Sequence, residues 1–139
     1  FAADREQHLF NAGNGIAALL DAGYRVISDR YFFSSLAYQT ISTDYAEVEA
    51  FNAYFPYPQI VIYIDTPPEI CIERMRDRRK LDEFERLDFQ KNVYASYERA
   101  FSAIPAGTEL LRYDGQLPIE KLASLILSDV LQIISMESP

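Results

Sequence analysis

The run Ile60-Val-Ile-Tyr-Ile64 constrains the fold more than any other feature of the chain. Its apolarity is continuous rather than alternating, which suits a strand covered on both faces, as in a parallel sheet. Parallel strands need long crossovers, and the flanking sequence supplies them. Thr66-Pro-Pro-Glu69 opens a helix, with Thr66 as the cap, Pro67 at the first helical position and Glu69 closing a capping box. That helix is expected to end in the basic stretch Arg74–Lys80. A second restarts at Asp82 with Glu85 and runs to about Ile104. Glu109–Tyr113 reads as a further strand, and Pro118 to about Ser135 as a last amphipathic helix. Upstream, residues 1–22 read as a helix stopped by Gly23, and Tyr24–Asp29 as a short strand. Residues 34–54 read as a helix in two pieces broken near Thr40–Thr43, the second capped by Asp44 with Glu47. These elements give an α/β fold: a three-layer parallel sheet with helices on both faces and right-handed crossovers. Ligands of such sheets bind beyond the carboxyl ends of the strands. Asp29-Arg30 and Asp65 stand at such ends.

The chain has 139 residues, enough for one domain with a real core. Thirteen basic residues against 21 acidic ones leave a net charge of −8. That balance argues against a nucleic acid polymer as the main partner, while leaving room for one small phosphate compound held by local arginines. No apolar stretch approaches the roughly 18 residues of a membrane span, and no secretory signal is visible. The single Cys71 has no internal partner, which fits a reducing cytoplasm. With one His and one Cys, no zinc site is expected, and no protein-ligated metal site is assigned. His8 reads as a surface residue.

Three constellations carry possible chemistry, each open to a plainer explanation. Asp29-Arg30-Tyr31 is followed by Ser34, Ser35, Tyr38 and Gln39. Arg30 brings a planar fork suited to a phosphate, which Asp29 would orient or complement by holding a magnesium-bound water. The same pair also serves as a strand-end salt bridge before a solvated loop. Phe1 and Arg5, four apart, share a helix face, where a ring beside a guanidinium either grips a base or simply packs and snorkels. Arg74, Arg76, Arg78, Arg79 and Lys80 put five cations into seven residues of an acidic chain. That run suits a mobile lid over a polyphosphate, and equally a helix end with cations at its negative pole.

Phe1-Ala-Ala-Asp-Arg5, Val26-Ile-Ser-Asp-Arg-Tyr31, Ser34-Ser35, Ala37-Tyr-Gln39 and Ile64-Asp-Thr-Pro-Pro-Glu69 resemble the thymidylate kinase family. So do the arginine-rich run and Leu81-Asp82 with Phe89, Val93 and Tyr97. The resemblance covers nearly the whole chain in order and spacing. It implies a P-loop kinase-like fold in a single nucleoside monophosphate kinase-like domain over 1–139, with a basic lid at about 74–84. It also implies transfer of the γ-phosphoryl of ATP to dTMP, giving dTDP and ADP, with Mg²⁺ accompanying ATP, in a cytoplasmic homodimer. Carried over by residue, Phe1 would stack on thymine and Arg5 would hydrogen-bond its carbonyl edge. Ser35 and Gln39 would lie beside the base, and Tyr38 against the sugar. Arg30 would clamp the 5′-phosphate. Asp29, Arg30, Arg78 and Arg79 would be the catalytic set, and Arg74, Arg76, Arg78 and Arg79 the ATP lid.

The departure from that family is one motif. G-x-x-x-x-G-K-[ST], whose amides and lysine cradle the ATP phosphates, has no counterpart here: Gly13 and Gly15 are followed by Asn and Ile, with no lysine. The chain also begins at Phe1, without Met and inside a helical pattern. Both features suggest an N-terminally truncated sequence that lacks a strand lying between 24–29 and 60–65, and that is inactive alone. Besides the kinase, two other functions fit the residues. One is a nucleotide-binding or scaffolding subunit without a phosphate loop, and the other is a related kinase acting on a deoxynucleoside.

Overall fold

In the computed structural model, residues 2–75 and 86–136 are described. The chain resolves into two compact units, Phe1–Pro56 with Asn92–Ser102, and Tyr57–Lys91 with Ala103–Pro139.

The first unit is helical. Helix α1 (Ala2–Phe10) and α2 (Ile16–Asp21) replace the single helix expected over 1–22. The break is local chemistry. Asn11 turns its side-chain oxygen onto the amides of Gly13, at 2.9 Å, and Asn14, at 3.4 Å, competing with the helical ladder. Helix α2 stops where expected. Gly23 takes a left-handed φ of 85°, its amide bonds Leu20 O, and the Tyr24 amide reaches Leu19 O, closing a Schellman motif. Helix α3 (Phe32–Tyr38) runs into a 3₁₀ turn (Gln39–Ile41), and α4 (Tyr45–Asn52) follows, so the helical segment does break near Thr40–Thr43. Asp44 caps α4 by accepting from the amides of Ala46 and Glu47. The unit's buried apolar side chains are Leu9, Phe32, Phe33, Leu36, Ala37, Val48, Phe55, Val93, Ala100 and Phe101. The last three lie on α6 (Leu87–Ser102), whose 92–102 portion belongs here. Phe33 and Tyr97 both meet the Phe101 ring, with centroids 5.5 and 5.6 Å away.

The second unit holds the sheet. Strand β1 (Ile60–Asp65) pairs in parallel with β2 (Glu109–Asp114), in a register running from Ile60 opposite Glu109 to Asp65 opposite Asp114. Helix α5 (Pro68–Met75) follows β1, and α7 (Ile119–Met136) follows β2. The fold class is therefore α/β with a parallel sheet, which has two strands among the described residues. Just past β2, Gly115 is required by close approach: a Cβ there would sit 1.9 Å from Thr66 Oγ1.

Several expectations are corrected. Tyr24–Asp29 forms no strand; it is an exposed irregular segment with Ile27 at 96% exposure. A lone run of β-formers becomes a strand only when its backbone finds a partner ladder, and the segment has none among the described residues. Strand β1 is not covered on both faces, since Ile62 and Ile64 are 43% and 48% exposed. The cap of α5 is Pro67, whose carbonyl accepts from the Cys71 amide, so that Pro68, not Pro67, takes the first helical position. Helix α6 opens at Leu87 after Arg86. The restart at Asp82 and the run Arg76–Lys80 lie outside the described residues. No described helix is long and apolar enough to cross a membrane.

Tyr113, the buried aromatic of β2, donates its hydroxyl to Asp129 Oδ2 of α7 at 2.8 Å. Burial first, and the Asp129 carboxylate second, push this phenol up to about 12. A folded pKa above the unfolded value stabilises the fold fully below the unfolded value, about 10. That contribution fades as the pH rises from there toward 12. Urea denaturation between pH 8 and 11.5 should therefore show a decline above pH 10 that is shallower in Tyr113→Phe. Identical slopes in the two proteins would contradict the assignment.

Candidate functional site

Helix α3 divides its side chains by period. Phe32, Phe33, Leu36 and Ala37 enter the core, while Ser35, Tyr38 and Gln39, spaced three and four apart, share another face. The element that anchors the first unit therefore also presents three of the site residues expected from sequence.

Arg5, on α1, reaches into the first unit. Its Nη2 donates to Ser35 Oγ at 2.8 Å and its Nη1 to Asn52 Oδ1. Its Cζ lies 5.7 Å from the Tyr31 ring centroid and 5.2 Å from that of Phe55. Tyr31 is itself tethered, its hydroxyl donating to Pro56 O at 3.0 Å. Burial lowers the pKa of Arg5, with the neighbouring Tyr31 and Tyr54 acting the other way. Ser35 and Asn52, each 6% exposed, are the buried polar side chains among the described residues, and both accept from Arg5. A cavity of about 290 Å³ opens beside this group, lined by Arg5, Ser35, Gln39 and Asn52, with Ser42 and Phe51 at its sides. Its size approaches the lower end of small-molecule sites.

Arg30 forms a second group. It has a φ of 69°, a left-handed backbone that a side-chain-bearing residue adopts at a cost. Ser28 Oγ donates to Arg30 O at 2.8 Å and ties the turn together. The guanidinium stands 5.5 Å from the Tyr38 ring centroid. A hydrogen bond with Tyr38 raises its pKa, more than partial burial lowers it. Tyr38 meets Tyr97 edge-on at 6.4 Å between centroids, and the Tyr97 hydroxyl shares a 3.0 Å hydrogen bond with Ser34. The fork is thus oriented chiefly by Tyr38; Asp29 is exposed and contributes only a nearby charge.

The structure therefore brings Arg5, Ser35 and Gln39 to one cavity and pairs Arg30 with Tyr38, so Ser35 and Tyr38 do not share one cluster. Arg74, in the second unit, donates to Gly115 O at 3.0 Å. At the strand ends there, Asp65 pairs with Arg112 at 3.1 Å. Phe1, Arg76, Arg78 and Arg79 lie outside the described residues. Sequence reasoning missed Asn52, Ser42 and Phe51. The available signal was Asn52 on an otherwise apolar helix face, four residues after Val48.

The thymidylate kinase family model matches residues 1–126. The chain belongs to the thymidylate kinase family. A relative from Treponema pallidum (strain Nichols) is 42% identical over 102 residues, covering 73% of this chain and 49% of its own length. One from Metallosphaera sedula is 36% identical over 110 residues, covering 79% and 55%. Both are named provisionally as thymidylate kinases. The thymidylate kinase of Carboxydothermus hydrogenoformans is 39% identical over 100 residues, covering 67% and 48%. The chain spans about half the length of these curated relatives.

Mg²⁺ that accompanies ATP is held largely by the phosphates and water, and the described residues supply no complete protein cage of their own for it. No group of three His, Cys, Asp or Glu side chains among them is placed to hold a metal, and no Gly-Lys-Ser/Thr segment occurs in the sequence.

The backbone at Arg30 gives a test free of side-chain effects. Arg30→Gly and Arg30→Ala both delete the guanidinium, but only glycine is at ease with a positive φ. The glycine variant should be the more stable by about 1 kcal/mol. Equal urea midpoints for the two variants would show that the left-handed turn is not maintained in solution.

Proposed function

We propose that this chain supplies the acceptor side of a kinase that transfers the γ-phosphoryl of ATP to dTMP, giving dTDP and ADP. The observation that carries the reading is Arg5. A guanidinium held by two buried polar side chains at the mouth of a cavity is a costly arrangement for mere packing. It is also the arrangement that recognition of a planar base with acceptors on its edge requires. Arg5 meets the carbonyl edge of thymine, with Ser35 and Gln39 beside the base and Phe1 stacked on it. Arg30 takes the 5′-phosphate, its fork aimed by Tyr38, which also lies against the sugar. Asp29 completes the rim.

Positioning and charge neutralisation carry the chemistry, since phosphoryl transfer asks little covalent work of the protein. Mg²⁺ bound with ATP would supply neutralisation of phosphate charge. Residues 74–84 act as the lid of a single kinase domain, bringing Arg74, Arg76, Arg78 and Arg79 toward ATP, with Arg78 and Arg79 at the transferred group. The 139 residues alone are inactive, and the working enzyme is a cytoplasmic homodimer.

Calorimetric titration with dTMP tests the acceptor assignment in the protein expressed from its complete gene. Arg30→Ala should lose about 1.5–3 kcal/mol of binding, the worth of a charged hydrogen bond. An unchanged affinity would overturn the assignment.

A further inference from the structure

We infer that Asn52 is a positioning residue for base selection, one that makes the cavity prefer a 4-oxo pyrimidine over a 4-amino pyrimidine. The inference rests on the acceptor-site reading above.

Asn52 is the last residue of α4 and is 6% exposed. An asparagine amide offers an acceptor oxygen and a donor nitrogen, and burial requires both to be used. Here Nδ2 donates to Val48 O, one turn back on the same helix, at 2.6 Å. That bond decides which end of the amide meets Arg5. The oxygen faces Nη1. A flipped amide would set NH₂ against a cationic donor and an oxygen against the Val48 carbonyl, two repulsions in a buried place. The orientation is therefore locked by the helix, independently of any ligand.

Arginine carries five N–H donors and no acceptor. With Nη1 spent on Asn52 and Nη2 on Ser35, and with the Tyr31 and Phe55 rings beside the guanidinium, Arg5 has little freedom to turn away. What Arg5 offers the cavity is a fixed set of donors. A base edge with a carbonyl at C4 satisfies it. An amino group at C4 brings donor against donor, and a locked Arg5 cannot swing aside to relieve the conflict. Selectivity of this kind comes from leaving the wrong partner unpaired rather than from extra attraction to the right one. Ser35 alone would hold one nitrogen and leave the guanidinium free to pivot about it. The second tether converts an arginine beside the base into a discriminating one.

The test is calorimetric titration of dTMP and dCMP into the protein expressed from its complete gene, with Asn52→Leu, Asn52→Asp and Arg5→Ala. Asn52→Leu keeps the volume and removes the acceptor. It should lower the dTMP-to-dCMP affinity ratio roughly ten-fold, by weakening dTMP and relaxing the rejection of dCMP. Asn52→Asp sets an oxygen against Val48 O but still accepts from Arg5, now as a charged partner, and should keep the ratio within about three-fold. In the Arg5→Ala background, Asn52→Leu should leave the ratio unchanged. An unaltered ratio in Asn52→Leu, or equal weakening of both nucleotides, would overturn the inference by making Asn52 structural only. If circular dichroism shows Asn52→Leu unfolded, Asn52→Ala decides in its place by the same ratio, a fall supporting the inference and no change overturning it. Wild-type protein that shows no preference for dTMP would instead overturn the reading of the site itself.

Discussion

A partly buried guanidinium is the constraint on which the first unit depends. Taking a cation out of water is expensive unless each donor it turns inward finds a partner. Arg5 of α1 meets that demand with Ser35 of α3, Asn52 of α4, and the rings of Tyr31 and Phe55. One side chain from the first helix thus fastens two others that are distant in sequence. Removing any partner would leave a charged donor unsatisfied, whereas removing Arg5 would orphan two buried acceptors. In the proposed reading, stability and recognition would draw on the same atoms, in a site pre-organised before any ligand arrives.

The second arginine is held differently. Arg30 is exposed, in a strained left-handed turn, and its fork is aimed by Tyr38, which in turn leans on Tyr97. Strain at one residue persists only where the surroundings over-determine it. Ser28 on the carbonyl and Tyr38 on the guanidinium supply that determination. Helix α3 serves both arginines, through Ser35 for Arg5 and Tyr38 for Arg30, while its opposite side anchors the aromatic core. The second unit is more open. Among the described residues its buried apolar side chain is Tyr113, and β1 and α7 carry exposed Ile62, Ile64, Leu127 and Leu131.

Much of this was legible in residue order. The apolar run at 60–64 announces a strand of a parallel sheet because no alternation interrupts it, and 109–113 also reads as a strand; that the two pair directly is known only from the structure. Asp44 announced a cap because a short acceptor preceded a helical stretch. The segment 24–29 misled for a physical reason: β-branched and aromatic residues describe compatibility with a ladder, and whether a ladder is available is a tertiary fact. The turn at Asn11 was missed because an asparagine side chain outbid the helix locally. Arg5, Ser35 and Gln39 line one cavity, a grouping that came from the family resemblance and not from spacing within the chain. Asn52 escaped notice because its importance lies in which way its amide points, and that is set by Val48 one turn earlier and by Arg5 47 residues away in sequence.

The central claim is that Arg5 and Arg30 divide one nucleotide between them, base to the first and phosphate to the second. A crystal structure of the protein expressed from its complete gene, grown with dTMP, tests it most directly. The account predicts the thymine ring in the cavity, with a carbonyl oxygen within hydrogen-bonding distance of Arg5, and the 5′-phosphate on the Arg30 fork. A nucleotide bound elsewhere, with the Arg5 cavity filled only by solvent, would contradict it.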